Sequence, residues 1–209
     1  MRPRAIDLFC GAGGASAGLV AAGFDVVGVD VKDQPEYPWR FVRADALKIE
    51  LTGYDFIWAS PPCQAHSRAT KRWSTAVHAD QIPATRERLK KTGALWVIEN
   101  VVGAPLENPI TLCGSMFGLR VQRHRLFEAN FPLSQPACDH ERQGLVVGVY
   151  GHSGGSSTRD GLTFGGVETW RAGMGISWMT RDNLAQAIPP AYAEWIGLQA
   201  RLQLLTRME

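Results

Sequence analysis

At 209 residues, with 45% hydrophobic and 20% charged side chains, the chain has the composition of a globular domain with its own core: one domain, or one domain with a small appendage. A formal net charge of only +2 excludes the strongly basic balance that announces a nucleic-acid partner, so any such surface has to come from local clustering of Lys and Arg. The four cysteines, Cys10, Cys63, Cys113 and Cys138, are widely spaced without a C-x-x-C pair, which argues against a zinc finger or ribbon and suits a reducing cytoplasm. The first residues carry no leader-like apolar stretch and no run is apolar enough to span a membrane, so neither a signal peptide nor a membrane segment is expected.

Residues 5–9 read as a short buried strand, followed by the glycine-rich turn Cys10-Gly11-Ala12-Gly13-Gly14 and a small-residue helix over 15–22 that Gly23 stops. Residues 25–30, rich in Val, form a second strand ending on Asp30. Strand, glycine turn, helix, strand, acid is the opening of a parallel α/β nucleotide-binding unit. Strand-like runs follow at 41–45, ending on Asp45, and at 54–60, running into Pro61-Pro62-Cys63-Gln64. A charged helix is expected over 80–93, then a strand at 95–98 leading into Glu99-Asn100-Val101, and another starting at Arg125. Residues 129–178, punctuated by Pro132 and Pro136 and rich in Gly, Ser and Thr between 151 and 175, read as loops and short strands. Residues 181–205 return to helix, with Tyr192, Trp195, Ile196, Leu202 and Leu205 expected to face the core. The chain thus divides into 1–128, 129–178 and 179–209.

Four groups in this layout carry chemistry. The turn has Gly11 and Gly13 of a dinucleotide fingerprint, but Ser16 stands in the third glycine position. It reads equally as a cofactor turn or as a tight turn alone. Cys63 lies at the carboxyl end of a strand, where ligands gather in open α/β sheets; it is either a nucleophile or a small buried hydrophobe. Glu99, after the apolar run Leu95-Trp96-Val97-Ile98, is either a strand-end cap or a carboxyl whose pKa burial raises for proton work. Arg123 and Arg125, two residues apart, share one face of a strand start, in a site or on a solvated edge. Cys113, His124, Cys138 and His140 match no zinc spacing, and no metal site is expected.

Taken together and in order, these pieces resemble the cytosine-C5 DNA methyltransferase family. Residues 7–14 look like its cofactor turn, Asp30 like its ribose acid, Asp45 like the acid near the adenine, and Pro62-Cys63-Gln64 like its nucleophile motif. Glu99-Asn100-Val101 and Arg123-His124-Arg125 look like its glutamate and arginine motifs, and residues 186–190 resemble its closing motif. Two positions depart from the pattern: Ala185-Gln186 stands where Gly-Asn is usual, and Val121 where a Gln commonly precedes the arginine pair.

The resemblance implies a Rossmann-like S-adenosylmethionine-dependent methyltransferase sheet with a very small target-recognition region at 129–178. It implies catalytic roles for Cys63, Glu99, Asn100, Arg123 and Arg125. S-adenosylmethionine, leaving as S-adenosylhomocysteine, would be held by Phe9, Gly11, Ala12, Gly13, Gly14, Asp30, Val31, Asp45, Ala46, Pro62, Gln186 and Ala187. The implied substrate is double-stranded DNA with the target cytosine flipped out, in a bacterial cell or phage-infected host. The chain is expected to act as a monomer, with a specificity partner as an alternative. The segment after Cys63 is basic without an acid, so Gln64, Ser67, Arg68, Lys71 and Arg72 are expected to contact phosphates, the alternative being an ordinary solvated loop. Trp73 reads equally as a wedge or a core residue. The closest rival is the RNA-acting branch, whose usual Cys-Phe-Thr tripeptide is not found here; a catalytically silent DNA-binding relative is a second.

Overall fold

The computed structural model describes residues 2–64, 66, 79–150, 158–159 and 162–207. Its centre is a seven-stranded sheet in the order β3-β2-β1-β4-β5-β7-β6. Strands β1 (Arg4–Leu8), β2 (Asp25–Asp30), β3 (Arg40–Arg43), β4 (Phe56–Ala59) and β5 (Leu95–Val101) pair in parallel. Strand β7 (Arg125–Ala129) is inserted antiparallel between β5 and β6 (Ile110–Leu112). The fold is the expected α/β arrangement.

Alternation along the central strands explains their unbroken apolar sequence, because both faces of the sheet are covered. Ala5, Phe56, Trp58, Leu95 and Val97 point to one side. There they meet Leu19 and Ala22, in and just after helix α1 (Gly14–Ala21), and Tyr192 and Ile196 of helix α5 (Pro190–Thr206). Ile6, Leu8, Ile57, Trp96 and Ile98 point to the other side, against Leu89 of α2 (Ile82–Lys90). The seam between α1 and α5 is close: a Cβ on Gly18 would lie 2.1 Å from the carbonyl oxygen of Pro190, so only glycine admits this approach.

Residues 129–178 are not all loops and short strands. They hold a three-stranded sheet of β8 (Val146–Val147), β10 (Leu162–Thr163) and β9 (Thr158–Arg159), and also a helix, α3 (Val167–Met174). Gly166 and Gly175 bracket α3 as its two caps, which gave the stretch its loop-like composition; Trp170 and Met174, four apart, carry its buried face. A short helix α4 (Arg181–Gln186) leads into α5. The face of α5 that packs is Tyr192, Ala193, Ile196, Gly197 and Ala200. Leu202 and Leu205, expected in the core, are 63% and 58% exposed, because with the exposed Leu198 they recur at i, i+4 and i+7 on the face of α5 turned away from Ile196. Among the described residues no helix is long and apolar enough to cross a membrane.

Candidate active site

Strand order reverses at β1: the chain proceeds from β1 outward through β2 and β3, then returns to place β4 on the other side. The crevice outside the carboxyl ends of β1 and β4 is where an open parallel sheet binds ligands. The sequence motifs converge on it. The cofactor-like turn follows β1 and Asp30 ends β2. Ala59 pairs with Ile98, so the Pro61-Pro62-Cys63 turn leaves β4 one step below Glu99 and Asn100. The antiparallel register pairs Val101 with Arg125, delivering that arginine to the same end of the sheet.

In the turn, Phe9 adopts φ 61°, a left-handed conformation that for a bulky side chain stores on the order of 1–3 kcal/mol. Gly11 and Gly13 are also at positive φ. A Cβ on Gly11 would meet nothing within 4 Å, so the turn is open there, whereas one on Gly14 would lie 2.4 Å from the Ile188 carbonyl oxygen. The Asp30 carboxylate accepts the Gly11 amide at 3.1 Å and the Lys32 amide at 2.9 Å. A carboxylate has about four acceptor sites, so it keeps capacity for a ligand's hydroxyls. Val31 beside it is 63% exposed, an apolar surface at the mouth. Asp45 accepts the Leu47 amide at 2.9 Å, which lowers its pKa, and Ala46 is buried.

Beneath the turn, Asp7 is fully buried. The Ser16 hydroxyl donates to it at 2.5 Å and Tyr37 donates to Ser16 at 2.7 Å. Burial pushes the Asp7 carboxyl up to about 7, against the pull of the Ser16 hydrogen bond. Cys10 is buried with its thiol pushed up by desolvation, as befits a packing residue. The closing segment folds back onto this region. Trp178 donates to the Ala12 carbonyl at 3.0 Å, and Glu36 accepts the Thr180 amide and the Asn183 side chain at 2.9 and 2.7 Å. Ala187 packs at Gly14, while Gln186 is exposed at the end of α4. Glu36, Tyr37, Trp39 and Trp178 were not singled out in the sequence. The density of aromatics between Asp30 and Asp45 was the signal available.

At the other side of the crevice, Glu99 is only 5% exposed and its carboxylate lies 3.1 Å from Arg125 Nε. Burial raises the Glu99 pKa, opposed chiefly by Arg125. Cys63 is half-buried. Burial and the Glu99 charge push its thiol up, while Arg125 and Arg123 pull it down, so all four groups lie within electrostatic reach of one another. Asn100 donates to the Pro61 carbonyl at 2.9 Å and thereby ties the cysteine turn to β5.

Arg123 is not on a solvated edge. It is 3% exposed, precedes β7, and donates to the carbonyls of Val149 at 3.0 Å and Ala185 at 2.7 Å; its own carbonyl accepts Tyr192 at 3.0 Å. Burial lowers its pKa to about 9. It therefore holds three parts of the chain together rather than lining an open face. Gln64 is exposed beside Cys63. Ser67, Arg68, Lys71, Arg72 and Trp73 lie outside the described residues. The spacing argument against a metal cluster also needs correcting: the fold brings ligand atoms of Cys113, His124, Cys138 and His140 within 4.8 Å of one another, because strand pairing and loop return supply the proximity that chain spacing lacks.

Residues 3–104 match the family model described as C-5 cytosine-specific DNA methylase. No curated protein sequence matches the chain. Among solved structures, a protein described as a DNA modification methyltransferase encoded within an E. coli prophage aligns over 98% of this chain and 99% of its own, with TM-score 0.66 and 14% identity. Dnmt2 methyltransferase of S. pombe aligns over the same shares with TM-score 0.63 and 12% identity, and the Entamoeba histolytica methyltransferase EhMeth with TM-score 0.63 and 10% identity. At these identities the structural likeness establishes the shared methyltransferase fold.

Proposed function

We propose that the chain, whose residues 3–104 match the C-5 cytosine-specific DNA methylase family model, belongs to that family and methylates C5 of cytosine in double-stranded DNA, acting as a monomer through a covalent Cys63–C6 adduct. The observation that carries the reading is the buried Glu99–Arg125 pair beside half-buried Cys63 at the carboxyl ends of β4 and β5.

S-adenosylmethionine, when bound, supplies the electrophilic methyl group. The residues present fit it: the turn is open at Gly11, Asp30 retains acceptor sites for ribose hydroxyls, and exposed Val31 offers an apolar contact to the adenine. Phe9, Ala12, Gly13, Gly14, Asp45, Ala46, Pro62 and Ala187 complete the proposed holding set. The exposed Gln186 is its outermost member.

Cytosine C5 is a weak nucleophile until a thiolate adds at C6. Glu99, with its raised pKa, hydrogen-bonds N3 and the exocyclic amine as charge builds on the ring. While Glu99 still holds the proton that it donates to N3, its carboxyl is neutral and does not oppose the Cys63 thiolate, and the arginines that favour the thiolate act without that opposition. Passing that proton to N3 as the thiolate adds keeps charge off the ring and leaves the carboxylate paired with Arg125. Arg125 orients the base through its carbonyl oxygen, and Arg123 and Asn100 keep β7 and the cysteine turn in place. Once C5 carries the methyl group, loss of its proton to a base releases the thiolate and restores the ring. The target must leave the helix to reach Cys63, and the basic segment from Gln64 to Arg72 is the proposed phosphate contact.

The test is nucleoside mass spectrometry after incubation with S-adenosylmethionine and either duplex DNA or RNA. 5-Methylcytosine in DNA, absent with Cys63→Ala, is the expected result. Methylation of RNA alone would overturn the substrate while leaving the chemistry, and no product with either would overturn both.

A further inference from the structure

We propose that Cys113, His124, Cys138 and His140 form a tetrahedral zinc site that braces the catalytic arginine segment. The four come from three places: Cys113 follows β6, His124 stands between Arg123 and Arg125, and Cys138 and His140 lie in the loop after β7. Cys113 Sγ is 3.2 Å from His140 Nε2, and Cys138 Sγ is 3.1 Å from His140 Nε2 and 3.7 Å from His124 Nε2. With Zn–S of about 2.3 Å and Zn–N of about 2.0–2.1 Å, a tetrahedron sets sulfur and nitrogen roughly 3.5 Å apart, which these separations bracket. All four ligand atoms lie within 4.8 Å of one another, so one ion reaches them all.

The donor set selects the metal. Two thiolates and two imidazoles suit zinc and give no hard oxygen ligand for calcium or magnesium. Four protein ligands close the tetrahedron, so the ion is structural, with no open position for chemistry. The surroundings fit outer-shell support. The Ser115 hydroxyl lies 3.3 Å from Cys113 Sγ and 3.4 Å from Cys138 Sγ, and accepts the Asp139 amide at 3.3 Å, which holds the loop in register with the sulfurs.

Position gives the site its consequence. Arg125 donates to the carbonyl of His124 at 3.0 Å, so fixing His124 fixes the backbone from which the glutamate's partner extends. Cys138 and His140 lie in the loop after β7, and a metal cross-link ties that loop to the end of β6 and the start of β7.

The experiment uses tag-free full-length protein purified under reducing conditions without chelator. Elemental analysis is expected to give roughly one equivalent of tightly held zinc, and cobalt exchanged into the protein should give the absorption of a tetrahedral thiolate-ligated ion. Cys138→Ser and His140→Asn change exposed side chains and should each lower retained zinc at least tenfold on the scale of lost structural ligands. Three results would overturn the site: no zinc retained after metal is supplied, unchanged zinc in both variants, or a cobalt spectrum without thiolate ligation. If a variant fails to fold, the cobalt spectrum of the unaltered chain decides alone.

Discussion

The two sides of the crevice are built differently. On the β1–β2 side the machinery is mostly backbone: positive-φ residues Phe9, Gly11 and Gly13 shape the turn, and the Asp30 carboxylate is hydrogen-bonded to amides of the turn and its own strand end. On the β5–β7 side it is side chains from distant parts of the chain: Glu99 with Arg125, Arg123 with Val149 and Ala185, Asn100 with Pro61. The first side is local, so a short motif encodes it. The second depends on the whole fold being assembled, and so can respond to what the variable region and closing segment do.

The largest expected break in this comparison is on the second side. Arg86 of α2 makes a bidentate pair with buried Glu128 of β7 at 2.7 and 2.8 Å. Glu128→Ala leaves that guanidinium without its main partner and should lower the unfolding free energy by about 3–5 kcal/mol in denaturant titration. On the first side, Asp7 sets a pH dependence. Its native pKa, raised from 3.8 to about 7, means that the folded state holds more protons than the unfolded state between those values. This contribution is present in full below the lower value, is lost as pH rises toward 7, and is flat above. Asp7→Asn cannot titrate, so thermal melts across this range should show the variant gaining on the original protein by a few kcal/mol on the order expected for such a shift. Arg123→Leu strands the carbonyls of Val149 and Ala185 and should destabilise by about 1–3 kcal/mol. The fluorescence of the tryptophans in the closing segment should report its release. Smallest is Leu202→Lys on the exposed end of α5, expected within about 0.5 kcal/mol of the original protein. A loss of 2 kcal/mol or more, on the scale of a truncated core leucine, would show that this face is covered after all.

This division also explains what could be read from the sequence. The turn, Asp30, the cysteine turn and Glu99-Asn100 were legible because each is a short run tied to the end of an apolar strand. Boundaries were less so: Glu99 and Asn100 lie within β5 rather than after it, since β7 pairs with them across their full length. The three-residue β6 has too little pattern to announce itself, and α3 was hidden by its capping glycines. The buried role of Arg123 comes from contacts 26 and 62 residues away. Leu202 and Leu205 share helical spacing with Trp195 and Leu198 rather than with Tyr192 and Ile196, and with apolar residues on both stripes the sequence of α5 does not reveal which one packs. The Cys and His cluster is invisible as well, its ligands being brought together by strand pairing rather than by spacing.

The central claim is that Cys63 bonds to the target base. Duplex DNA carrying 5-fluorocytosine tests it directly, because a fluorine at C5 cannot leave as a proton and the adduct persists. With S-adenosylmethionine present, the account expects a protein–DNA species that survives denaturation, maps by mass spectrometry to Cys63, and is absent with Cys63→Ser. An adduct at another residue, or 5-methylcytosine formed on ordinary DNA by the serine variant at the original rate, would contradict it.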